Sequence, residues 1–163
     1  MEIKGEYEMD ILIQNMFNSY NIVTRNSNVV TNEGLNFILR ILARKTNAEM
    51  GNICVGTNTT EPSIIDNTES FTPTAMLQPQ DIDVENNKLI YIINTDGAKI
   101  NGTYEIGIFS SDENIAITRD VHDRYDVPNS AIITIKYSLT LTNKGKEEML
   151  DDDCGMYLKK DNI

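Results

Sequence analysis

His122 is the chain's only histidine, and it stands among acids in Asp120-Val121-His122-Asp123-Arg124. An imidazole beside carboxylates invites a general-base reading, because its proton is gained and lost near neutral pH. A base needs a nucleophile or a cofactor to serve, and the chain has no G-x-S-x-G elbow, no P-loop and no Rossmann glycine fingerprint. A surface or loop histidine is therefore expected. Asp151-Asp152-Asp153 offers carboxylates to a divalent cation, yet consecutive acids do not converge on one point, and EF-hand spacing is absent. This run reads as a solvated tail. Cys54 lies between Ile53 and Val55, where a small buried thiol is expected, and it is far in sequence from Cys154. Neither a disulfide nor a metal site is predicted, and no catalytic or cofactor-binding residue is assigned. Asn58-Thr59-Thr60 and Asn101-Gly102-Thr103 match the glycosylation sequon, but without a secretory route the match marks only turns.

The elements that would position such residues are bounded by size and charge. The chain has 163 residues, 40% hydrophobic and 24% charged, which suits one domain with an ordinary core. Its apolar runs are too short to cross a bilayer, and its N-terminus lacks the basic and apolar regions of a secretory signal, so no membrane association is expected. Net charge is −11, with 25 acidic against 14 basic residues and no dense basic cluster. Nucleic acid is therefore not an expected partner.

Residues 1–27 carry the short apolar runs Asp10-Ile11-Leu12-Ile13 and Tyr20-Asn21-Ile22-Val23-Thr24, read as an N-terminal arm or edge strand ending in an Asn26-Ser27-Asn28 turn. Thr31 or Asn32 then caps a helix over about 32–45, with Leu35, Ile38, Leu39 and Leu42 on its buried face, widened by Phe37 and Ile41. Met50 to Gly56 reads as a buried strand, and residues 57–80, holding Pro62, Pro73 and Pro79, as a long irregular connection. Residues 88–95 and 104–109 read as neighbouring strands joined through the turn pairs Asp96-Gly97 and Asn101-Gly102, with a shorter strand at 115–119. The clearest strand is Ala131 to Thr142, where Ala131, Ile133, Ile135, Tyr137, Leu139 and Leu141 alternate with more polar residues. The pattern predicts a mainly β, antiparallel sandwich over 28–143 with one packed helix, followed by a charged tail over 144–163. That tail is read either as disordered until a partner orders it or as a docking segment built on Met149, Leu150, Met156, Tyr157 and Leu158.

Three segments in order carry a resemblance. They are Asn32-Glu33-Gly34-Leu35 at the helix start, Ile53-Cys54-Val55-Gly56-Thr57-Asn58-Thr59-Thr60-Glu61-Pro62, and Tyr104-Glu105-Ile106-Gly107-Ile108-Phe109. As a set they resemble the N-terminal, particle-attached domain of phage tail-collar fibre and tail fibre proteins. That family opens its helix with "T-x-x-G-L" and continues through "V-G-T-G-x-x-x-P" to "E-I-G-L-F". Ile115-Ala116-Ile117 sits where the family has a short "L-I-A" strand, and the likeness spans about residues 28–142. Asn58 stands where glycine is usual, and no Leu-x-x-Glu-x-x-Arg-like stretch follows the Thr68 region. The chain ends some twenty residues after its last strand, so no receptor-binding shaft or tip is expected.

The motif positions so marked are Gly34, Gly56, Pro62, Glu105, Gly107 and Phe109. The resemblance implies a non-enzymatic virion component of a tail, baseplate, fibre attachment or collar, assembled in the host cytoplasm. It would act as a homo-oligomeric ring or cluster docked to other virion proteins. Residues 9–24 would suit addition to a neighbour's sheet edge. The alternatives are a neck or capsid decoration protein, or a host-surface carbohydrate-binding module. The latter would use Tyr91, Tyr104, Tyr125 and Tyr137, although the period-two placement of Tyr137 argues for core.

Overall fold

A computed structural model of the chain describes residues 3–143. Its first element is not a loose arm. β1 (Ile3–Gln14) and β2 (Ser19–Val30) form a long antiparallel hairpin. β1 pairs on its other side with β9 (Ile132–Asn143), so that part of the segment expected at an edge lies inside the sheet, while β2 meets its second partner strand at Val29 and Val30. The Asn26-Ser27-Asn28 cluster expected to turn is extended within β2, opposite Tyr7, Glu6 and Gly5. Its backbone groups have a partner strand, and that outweighs the turn preference of its side chains.

The remaining strands are β3 (Met50–Gly56), β4 (Pro73–Leu77), β5 (Asp81–Glu85), β6 (Lys88–Asp96), β7 (Glu105–Ser110) and β8 (Thr118–Val121). Their order is β4-β3-β7-β8-β2-β1-β9-β6-β5, antiparallel throughout the named pairs. The run forms two antiparallel sheets in a sandwich-like arrangement, as the alternating pattern predicted. They are joined where Val29 and Val30 of β2 pair with Arg119 and Thr118 of β8. β6 and β7, expected as neighbours, belong to different sheets: β6 pairs with β5 and β9, β7 with β3 and β8. The connection between them is a short helix, α2 (Gly97–Ile100), and a turn, not a hairpin. Likewise, the connection expected to be irregular over 57–80 ends in β4 on the free edge of β3.

Period-two alternation fills the space between the sheets. Ile22, Ile11, Ile135 and Ile93 occupy one row across β2, β1, β9 and β6. They join Ile53, Val55, Ile106, Ile108 and Ile117 in one buried cluster. Each such side chain contributes on the order of 1.5–3 kcal/mol by leaving water. Tyr91 and Tyr137 pack edge to face in this core, their ring centres 6.4 Å apart. Tyr125 is also buried.

The helix α1 spans Asn32–Leu42. Thr31 caps it: its Oγ1 accepts the Gly34 N–H at 2.9 Å and donates to the Ala116 carbonyl at 2.6 Å. The buried face differs from the expected one. Gly34 and Phe37 are buried, Ile38 and Ile41 pack on the core, and Leu35, Leu39 and Leu42 face outward. The close approach of the helix start explains the choice, because a Cβ at residue 34 would overlap the backbone of Ile117. That contact turns the Gly34–Phe37–Ile41 side inward. Residues 144–163, expected to form the charged tail, lie outside the described residues.

Candidate functional site

Strands β7 and β8 place two opposite charges inside the protein. Glu105 is 0% exposed and Arg119 1% exposed, and Arg119 Nε donates to Glu105 Oε1 at 3.1 Å. Burying either ion alone would cost several kcal/mol, so every lone pair and proton must find a partner. They do so on the 57–72 loop. Arg119 Nη1 donates to the Thr60 carbonyl at 2.9 Å and to Asp66 Oδ2 at 3.3 Å, and Nη2 donates to the Asn58 carbonyl at 3.2 Å. Glu105 Oε2 accepts the N–H groups of Asn58 and Thr72, each at 2.8 Å. One ion pair thus clamps both ends and the middle of the loop.

The motif residues surround this clamp. A Cβ at Gly56 would overlap the Thr72 carbonyl and the Glu105 carboxylate, and one at Gly107 would strike the Thr118 carbonyl and the Phe71 ring. Phe71 lies under the guanidinium at 5.6 Å and meets Phe109 edge to face at 4.9 Å. Pro62 is half-buried on the clamped loop, between Thr60 and Ser63, whose N–H donates to Asp66. Gly34 lies next door, against Ile117. The six positions therefore gather around β7, β8 and the elements laid on them. Asn58, the departure from glycine, has no positive φ; its amide donates to the Ser70 carbonyl at 2.6 Å and its Oδ1 accepts from Thr60. A side chain here does what a glycine could not.

Sequence reasoning missed Arg119 and Asp66. A signal was present: a carboxylate inside the apolar run of β7 requires a buried cation, and Arg119 is the charged residue that ends the 115–119 run. Asp66, one of many polar residues in its loop, carries no such mark.

His122 is brought to a different place. It is buried, its Nδ1 lies 2.7 Å from the Asp123 carbonyl, and its ring stacks on Tyr125 at 4.2 Å. Nδ1 carries the proton in this contact, leaving Nε2 as a buried acceptor without a partner among the described residues. Burial holds the imidazole below its ordinary value and so keeps it neutral. His122 lies in the loop that follows β8, as expected, but it is buried there and not at the surface. The neighbouring acids do not serve it as an orienting carboxylate: Asp120 accepts from the Val29 N–H and the Tyr137 hydroxyl, and Asp123 offers its backbone carbonyl. A surface cavity of about 600 Å³ opens beside it, lined by Thr24, Arg25, Arg124 and Tyr125 among others. The Tyr125 hydroxyl lies 2.6 Å from Thr24 Oγ1, and burial pushes it up to about 12.

Cys54 is buried in β3, as expected, where burial and the carboxylate of Glu105 push its thiol up to about 12 and make it a poor nucleophile. Cys154 and Asp151 to Asp153 lie outside the described residues. Among the described residues, no group of three His, Cys, Asp or Glu side chains converges as a metal site, and no helix is long and apolar enough to cross a membrane.

These features define a class: a mainly antiparallel β protein of sandwich-like form, with a buried polar cluster that binds one of its own loops. No family model, curated protein or solved structure matches the chain.

Proposed function

We propose that this chain is a non-enzymatic structural protein of a phage-type tail particle, placed in a baseplate, fibre attachment or collar. It works by holding to copies of itself and to neighbouring virion proteins. The observation that carries the reading is how the motif positions are used. Glu105, Gly56, Gly107 and Phe109 build a closed clamp whose donors and acceptors already serve one another, an arrangement suited to fixing a loop. The ordered resemblance in sequence to particle-attached tail domains supports the same conclusion.

The surface adds a second support. Met16 and Phe17, 88% and 90% exposed, stand on the β1–β2 turn, and Leu39 and Leu42, 62% and 74% exposed, stand on α1. Such apolar groups favour contact with another protein. Of the four tyrosines of the carbohydrate alternative, Tyr91, Tyr125 and Tyr137 are buried, which leaves the half-buried Tyr104 to support it. Native mass of the purified chain, alone and with the products of neighbouring genes, tests the reading. Discrete self-assembly or capture by a particle protein is expected; a monomer that ignores those products and binds glycans would overturn it.

A further inference from the structure

Strand β2 has two edges, and only one is used along its length. β1 pairs with it over residues 19–28, whereas β8 reaches the other edge only at Val29 and Val30. The Asn15 N–H donates to the Asn18 carbonyl and so sets the phase of the hairpin. Counting out from that turn, Tyr20, Ile22 and Thr24 face Ile13, Ile11 and Met9 as hydrogen-bonded pairs. Asn21, Val23 and Arg25 therefore turn their N–H and C=O groups to the opposite side. The far end of the strand keeps the same phase, because the Val29 N–H donates to Asp120 Oδ1 and the Thr31 N–H to the Ile117 carbonyl. Among the described residues, no strand takes up the groups of Asn21, Val23 and Arg25.

A cleft of about 600 Å³ runs along this open stretch, with Ile22, Val23, Thr24 and Arg25 on one side and residues 121–126 on the other. The far wall cannot complete the sheet, since its backbone is engaged elsewhere: the His122 N–H donates to the Tyr104 carbonyl and the Tyr125 N–H to the Thr103 carbonyl. It reaches β2 through the Tyr125 hydroxyl, 2.6 Å from Thr24 Oγ1, on the side of the strand that Ile22 turns toward the core. The edges at the two ends of the strand order are guarded. β4 begins with Pro73 and β5 presents Asp81, Asp83 and Glu85, whereas residues 19–24 hold neither a charge nor a proline.

We infer that this cleft takes an extended, uncharged segment of a neighbouring protein, which joins β2 as an added strand along residues 21–25. The inference rests on the structural role proposed above and supplies a place where a neighbour holds. N–H and C=O groups repeating at every second residue of an open strand are complementary to another extended backbone. The occupant is a lone strand and not the edge of a second copy's sheet, because that edge would arrive with its own residues 121–126 and meet wall against wall. No charge is called for, since Arg25 and Arg124 are already paired with Glu8 and Asp126. Val23, 52% exposed, offers the added strand an apolar neighbour.

Val23→Pro deletes the central open-side N–H without removing a bond to β1, and Val23→Thr keeps that N–H. Random linear dodecapeptides displayed on a carrier are selected on the unaltered chain, and those recovered are synthesised as the probe. They should slow amide exchange at Asn21, Val23 and Arg25, read by NMR, and bind Val23→Thr as tightly as the unaltered chain. Affinity for Val23→Pro should fall at least roughly tenfold. If circular dichroism shows Val23→Pro unfolded, Asn21→Pro replaces it. Recovery of no peptide, binding indifferent to the proline, or protection confined to other residues would overturn the cleft as a docking site. So would amides at these three positions that are already protected in the chain alone. Capture of a particle protein by the unaltered chain and Val23→Pro alike would also overturn it, and would leave the structural reading standing. Peptides held at β2 by a chain that neither assembles nor captures such a protein would support the cleft and overturn that reading.

Discussion

Glu105 and Arg119 hold the molecule's most consequential single contact. Replacing Glu105 by glutamine removes the negative charge but leaves the guanidinium buried, with Asp66 as its remaining counter-charge. Breaking one side of a buried pair is strongly destabilising, so Glu105→Gln should lower unfolding stability by about 3–5 kcal/mol in urea titration. His122 sets a pH dependence of known sign. Its folded-state value lies below the ordinary 6.5, so between the two the unfolded chain binds a proton that the folded chain refuses. Stability from this group is full above about 6.5 and falls as pH drops toward the folded value, by at most about 1.4 kcal/mol per pH unit. Urea titrations at pH 7.5 and 5.5 should show the loss, and His122→Gln should lack that part of it. At this scale the sequence was half legible. Glycines 56 and 107 stood out as glycines in strand patterns and Glu105 only through the motif resemblance, whereas Arg119 and Asp66 become partners only when strand pairing and loop return bring together residues far apart in the chain.

At the scale of elements, α1 shows what periodicity can and cannot decide. Six apolar residues, Leu35, Phe37, Ile38, Leu39, Ile41 and Leu42, cover so much of an eleven-residue helix that its existence was plain and its inward side was not. The deciding contact, Gly34 against Ile117, lies eighty residues away in sequence. Phe37→Ala should therefore cost about 3–5 kcal/mol by opening a cavity in the core. Leu39→Ala should change thermal stability by less than about 0.5 kcal/mol, although both residues are large and apolar. Equal losses would mean that the Leu35–Leu39–Leu42 side is the packed one. β9 was legible almost residue by residue because one face meets the core and the other does not. β1 and β2 were not, since much of their length is polar and their pairing, not their composition, makes them strands.

For the whole molecule, exposed apolar side chains include Met16 and Phe17 at a turn, Leu39 and Leu42 on a helix, Ile64 and Ile65 on the clamped loop and Val84 on β5. A closed polar clamp beneath a loop and outward-facing leucines fit a part made to be held by other parts. The antiparallel sandwich-like form was readable from alternation alone, while the crossing between β6 and β7 was hidden because Asp96-Gly97 begins a helix at the point where a hairpin turn was expected. The most direct measurement is native mass spectrometry of the purified chain over a dilution series. It should show one discrete oligomer with an integral number of subunits, dissociating on dilution without unfolding. A single monomeric species from the most concentrated sample to the most dilute would contradict the claim that this protein works by assembling with itself.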